Sequence, residues 1–162
     1  MLLPLLFALA LPQKTDGPEL TSGRPIPPEQ ACYDVLQYGL RVRVDPDQHS
    51  IEGRVYVTAR VLAPSDTIVL DLDDHLKVAA VLTRGDVPVE ADDDFLKAAR
   101  FEQAHGEVRI FAPTEFKAVG KLFTVRIDYG GKPREAPRPP WDGGFVWSKT
   151  KSGAPWIATC NQ

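Results

Sequence analysis

His49, His75 and His105 are the only imidazoles in the chain, and hydrolysis by a single polypeptide needs groups of this kind, a metal, or an activated nucleophile. None of them opens a His-Glu-x-x-His helix, and none lies four residues from another, the spacing that sets two ligands on one helical face. A zinc site built by this chain alone is therefore not expected, and no residue is assigned as catalytic or as a metal ligand. The densest polar group is Asp71, Asp73, Asp74 and His75. Asp71 and Asp73 alternate with Leu70 and Leu72, which puts them on the solvated face of a strand, while Asp74 and His75 fall in the turn after it. Asp92-Asp93-Asp94 lacks both the Asp-x-Asp-x-Asp-Gly spacing and the distal Glu of a calcium loop, so it reads as solvated loop charge. There is no G-x-S-x-G elbow and no glycine-rich phosphate loop.

Binding chemistry is concentrated at the other end of the chain, in WDGGFVWSKTKSGAPWIATCNQ from Trp141 to Gln162, which contains all three tryptophans. Phe145-Val146-Trp147 and Trp156-Ile157-Ala158 flank Lys149 to Pro155, where Lys151, Ser152 and Gly153 supply turn chemistry, so the spacing predicts a hairpin. Trp141, Phe145, Trp147 and Trp156 could line a peptide or carbohydrate groove, or pin the hairpin to the rest of the fold. On physical grounds packing is the stronger of the two, because aromatics bury so much apolar area. Asn161 and Gln162 follow the second strand with no Gly, Pro or charge after it, the pattern expected of part of a larger protein.

The elements before this hairpin are strands. Leu36, Tyr38, Leu40, Val42 and Val44 alternate with Gln37, Gly39, Arg41 and Arg43, the period of a half-buried strand. Asp45-Pro46-Asp47-Gln48 turns the chain into a second alternating run, Ile51 to Val61, giving an antiparallel hairpin. Ile68 to Leu72, Leu76 to Leu82, Val108 to Phe111 and Phe123 to Tyr129 are further short strands bounded by turn residues. Asp92 to Phe101 fits either an acidic helical turn or a loop leading into a short strand, and the second is favoured. No run of period 3.6 is long enough for a substantial helix. The spacing predicts an all-β antiparallel sandwich with a carboxy-terminal hairpin, reached through the stiff connection KPREAPRPP from Lys132 to Pro140.

With 162 residues, one domain is the default. Nineteen basic against 22 acidic residues, mixed in sign, leave no basic stripe for a phosphate backbone, so nucleic acid is not an expected partner. Leu2 to Leu11 has the length of a signal-peptide core, and Ala8-Leu9-Ala10 has the form of a cleavage site, although no Lys or Arg precedes it and Pro4 interrupts it. Residues 1–11 are read as an export signal, 12–31 as a Pro-rich linker and 32–162 as the folded domain, with a periplasmic or extracellular destination. The apolar run is too short to span a bilayer, which takes about 20 residues. Cys32 and Cys160 lack Cys-x-x-Cys spacing, and the sequence leaves open whether they are free thiols or close one long loop.

Several of these segments together resemble a known family: Tyr33-Asp34-Val35-Leu36-Gln37-Tyr38, Ile51-Glu52-Gly53, Val69-Leu70-Asp71-Leu72, and above all PWDGGFVW (Pro140 to Trp147) and PWIATCNQ (Pro155 to Gln162). Residues 32–162 resemble the amino-terminal domain of the gluzincin zinc aminopeptidases, the aminopeptidase N and leukotriene hydrolase type, most of all their exported bacterial members. The resemblance implies a saddle-like β-sandwich packed on a thermolysin-like catalytic domain. That domain holds zinc through His-Glu-x-x-His and carries a Gly-x-Met-x-Asn motif; neither motif occurs in this chain. It also implies that Gln162, or Asn161 if the register shifts by one, touches the amino terminus of a peptide substrate, a recognition role suited to an amide that both donates and accepts. The implied activity of the family is removal of amino-terminal residues from peptides. This chain would bind no cofactor itself and would be inactive alone. The contrasting expectation is a stand-alone sandwich that binds peptide or carbohydrate through its aromatic hairpin.

Overall fold

A computed structural model describes residues 25–85, 95–111 and 114–160. The proposed leader 1–11, most of the linker, and Asp92 to Asp94 lie outside the described residues. Pro28–Ala31 forms one helical turn, α1, with Pro at its start, where a missing N–H has no consequence. Glu29 and Gln30 of this turn reach Arg109 (3.2 Å) and Asp71 (2.9 Å), which ties the chain's entry to the strands that follow.

The first two alternating runs form β1 (Tyr33–Asp45) and β2 (Ser50–Val61), paired antiparallel from end to end. Asp45 shapes their turn: its Oδ1 accepts from the backbone N–H groups of Asp47 and Gln48, both at 3.0 Å, the Asx geometry that makes Asp a turn former. The next strands are β3 (Thr67–Asp71), β4 (Leu76–Gly85), the two-residue β5 (Lys97–Ala98), β6 (Arg100–Ala104), β7 (Glu107–Phe111) and β8 (Leu122–Gly131). They assemble a five-stranded sheet in the order β1-β2-β8-β4-β5 and a three-stranded sheet in the order β3-β7-β6. Every pairing in both sheets is antiparallel.

The core lies between the two sheets. Ala59 and Val61 of β2, Phe123, Val125 and Ile127 of β8, and Val81 of β4 meet Ile68 of β3 and Val108 and Ile110 of β7. Two residues from outside the sheets complete it. Cys32 follows α1, and Phe116 comes from the connection between β7 and β8, its ring 4.8 Å from that of Phe123. The two cysteines are free thiols, Cys32 buried and Cys160 partly so.

Two irregularities reassign faces that alternation alone predicts otherwise. In β4 the register shifts between Val78 and Ala80, so Val81 and Thr83 become the buried residues while Ala80 and Leu82 are only partly covered. One extra residue in a strand turns everything after it to the opposite face. In β1 a shift between Val35 and Gln37 has the same effect. The apolar series from Tyr38 to Val44 is also not half-buried as expected: Tyr38 is 57% and Leu40 65% exposed. The reason is that β1 is an edge strand of 13 residues facing partner strands of only five, so the smaller sheet stops short of it.

The outer face of the large sheet carries a charge network. Asp128 of β8 accepts from Arg54 Nε at 2.7 Å and from Arg126 Nη2 at 2.6 Å. Hydrogen bonding from Arg126, and then from Arg54, holds the Asp128 carboxyl below its usual value against an opposing contribution from burial.

Candidate functional site

The Trp-rich segment is a hairpin, β9 (Gly144–Lys149) and β10 (Pro155–Cys160), in register from Gly144 opposite Cys160 to Lys149 opposite Pro155. Its turn is closed by Thr150, whose N–H donates to the Ala154 carbonyl (2.8 Å) and whose carbonyl accepts from the Gly153 N–H (2.9 Å). The hairpin forms a sheet of its own, so other contacts must hold it to the sandwich.

Three contacts do so. First, the connection after β8 lies beside β9: the Phe145 N–H donates to the Arg134 carbonyl (2.8 Å) and the Ala136 N–H to the Phe145 carbonyl (2.9 Å), a parallel bridge between Glu135 and Phe145. Gly144 permits this approach. Its φ is +141°, and a Cβ there would fall 2.7 Å from both Ala136 N and the Arg134 carbonyl. Second, the connection is stiffened by a two-point ion pair, Arg138 Nε to Asp142 Oδ2 at 2.9 Å and Nη2 to Oδ1 at 3.2 Å. This pair holds the Asp142 carboxyl below its usual range. Third, the His49 ring, at the end of the β1–β2 turn, stacks on the Trp147 indole with centroids 4.9 Å apart. Its Nδ1 lies 3.0 Å from Glu135 Oε1, and Phe145, on the same face of β9, stacks on Trp147 at 5.5 Å.

The predicted aromatic set therefore divides. Phe145 and Trp147 are partly buried and pin the hairpin, whereas Trp141 is 81% and Trp156 61% exposed. By register, Trp156 shares a face with Val146, Ala158 and Cys160, and Trp147 shares the opposite one with Phe145, Ile157 and Thr159. The second face lies near Asp73, Leu76 and Arg134, where a shallow depression of about 230 Å³ opens. Gln162 and Asn161 lie outside the described residues.

Sequence reasoning left His49 and Glu135 out of this site. Nothing in a turn His or in a Pro-rich connector points to an indole so distant along the chain. Asp73 meets His75 within their own turn, Oδ1 to Nδ1 at 2.6 Å, and the described residues contain no group of three His, Cys, Asp or Glu side chains placed to hold a metal ion. They do not fit a zinc ion.

No protein-family model matches the chain, and no curated protein matches it. Solved structures do. An M1 zinc metallopeptidase from Deinococcus radiodurans superimposes with a TM-score of 0.54 at 23% identity, over 75% of this chain and 27% of its own. Native yeast LTA4 hydrolase gives 0.52 at 20% identity, over 78% of this chain and 18% of its own. The same yeast enzyme in complex with bestatin gives 0.54 at 18% identity, over 85% and 20%. The shared property is the fold, and the chain spans about a quarter of the first of these proteins and a fifth of the second.

Proposed function

We propose that this all-β chain is the amino-terminal domain of an exported zinc aminopeptidase of the M1 type, and that it shapes the substrate cleft without performing the chemistry. The observation that carries the reading is the hairpin, a rigidly pinned element whose outer face presents Trp156, with Trp141 at its base, to water. Two exposed indoles, one on the hairpin and one on the connection leading into it, are unusual for a surface with nothing to cover it, and they suit an interface with a catalytic domain. The fold shared with M1 zinc metallopeptidases supports the same reading. In it, the zinc and its ligands belong to a thermolysin-like catalytic domain. Gln162, two residues beyond β10, gives the cleft an amide that hydrogen-bonds the substrate's amino-terminal end, and Asn161 takes that role if the register differs by one. The substrate class is peptides with a free amino terminus.

The test is the intact mass of the native polypeptide recovered from its own cells with an antibody to this domain. A species several times the mass of 162 residues that releases amino-terminal residues from a peptide is the expected result. A species of this chain's own mass, with or without the leader, overturns the reading and leaves a stand-alone module that binds peptide or carbohydrate.

A further inference from the structure

Among the described residues β1 pairs only with β2, so the outer edge of a 13-residue strand presents its backbone donors and acceptors unpaired. Its two faces differ in character. On one, Tyr38, Leu40, Val42 and Val44 form an exposed apolar row, whose Tyr38 and Leu40 line an open groove of about 500 Å³ that runs inward past Val55, Leu70 and Tyr129. On the other, Arg41 and Arg43 project. Arg41 lies over the Tyr56 ring at 5.8 Å and stands directly opposite Arg54 in the register. Among the described residues it meets no carboxylate, and Arg43 has only a loose, largely exposed contact with Glu52 at 3.6 Å.

An unpaired edge beside an apolar row is the arrangement that accepts an added strand. The charges select which strand. A second copy of the chain is disfavoured: the antiparallel register that superposes the whole row, Tyr38 opposite Val44 and Leu40 opposite Val42, sets Arg41 against the Arg41 of the second copy, and like charges directly opposed across strands repel. We infer that the β1 edge binds an extended segment of another polypeptide in which apolar residues alternate with acidic ones. Its apolar side chains extend the Tyr38–Val44 row, covering the groove at its Tyr38 and Leu40 end, and its carboxylates lie beside Arg41 and Arg43.

The test titrates the full chain against a fluorescent nine-residue peptide alternating valine and glutamate, with a valine–lysine peptide as control. The expected result is saturable binding of the first, about tenfold or more weaker binding of the second, and slowed amide exchange confined to β1. Leu40→Lys, at an exposed position where folding is unaffected, abolishes binding. The Arg41→Glu/Arg43→Glu double variant reverses the preference between the two peptides. Absence of binding, equal binding of both peptides, or protection on some other strand overturns the inference. So does sedimentation of the unliganded chain as a dimer with β1 amides already protected.

Discussion

The imidazole of His49 lies face to face on the indole of Trp147, with planes only 9° from parallel. This contact ties the first hairpin of the sandwich to the last hairpin of the chain. His49 also has a φ of +50°, a left-handed conformation that Asn tolerates well. His49→Asn therefore removes the ring while keeping the turn. Stacked aromatic pairs contribute about 0.5–1.5 kcal/mol, so a loss of about 1 kcal/mol is expected. Amide exchange should speed up across β9 and β10 while β2 and β8 keep their protection. Uniform acceleration across all strands would show that the stack holds the whole fold and not the hairpin.

Gly144→Ala should do more damage than any other single methyl group added to this hairpin. The new Cβ meets backbone atoms on two sides, Ala136 N and the Arg134 carbonyl, at a φ that L residues rarely adopt. Neither neighbour can rotate away. A cost of about 2–3 kcal/mol is expected, with Trp147 emission shifting to the red as the hairpin leaves the connection. Denaturant titration followed by both circular dichroism and fluorescence measures the two effects together. Retention of the parental midpoint would mean that the connection moves aside.

The period-two pattern made β1, β2, β3, β8 and the final hairpin readable in the sequence, because each residue's side of a strand follows from its neighbours. What was not readable depends on distant partners. The register shifts in β1 and β4 are single-residue events without a compositional mark, yet the one in β4 decides that Val81 is buried. β1's position at an edge follows from the order of strands, which alternation does not encode. Phe116 is 1% exposed but sits among Pro, Lys and Gly residues that read as a connection. The site shows the same division: the aromatic hairpin was legible, but its fastening by His49 and Glu135 was not.

That reading of Phe116 can be tested. As a plug from a loop into the core beside Phe123, it should behave as a core residue, so Phe116→Ala should cost about 3–5 kcal/mol. Phe116→Leu, which keeps most of the volume, should cost much less. Thermal unfolding of the two variants decides it, and equal small losses would mean that the loop collapses into the space.

The Asp128 network should give the chain part of its acid sensitivity. Its carboxyl is held low by Arg126 and Arg54, so its contribution is fully present above the ordinary carboxylate value of about 3.9. As the pH falls below that, the unfolded state takes up the proton first, and the contribution is lost through the lower folded-state value. Asp128→Asn should cost about 1–2 kcal/mol at neutral pH, and the gap to the parent should close as the pH approaches 2. Urea titrations along this range measure it. A gap that stays constant with pH would assign the loss to packing instead of charge.

Tyr33 should be silent in an alkaline titration until the sandwich opens. Its hydroxyl donates to the Val69 carbonyl at 2.7 Å, from β1 across to β3, and its ring meets Phe123 edge-on at 6.1 Å. Burial is the main reason its pKa is raised well above the ordinary tyrosine value. For a group raised in this way, the stabilising contribution is fully present below the unfolded value of about 10 and is lost as the pH rises toward the folded one. Tyr33→Phe should therefore cost about 1 kcal/mol at pH 7, the usual worth of one such hydrogen bond. Followed by phenolate absorbance, the variant should lose amplitude from the step that accompanies alkaline unfolding and none from any ionisation that comes earlier. Loss from the earlier step would mean that the Tyr33 hydroxyl already reaches solvent and that β1 is not fastened to β3 through it.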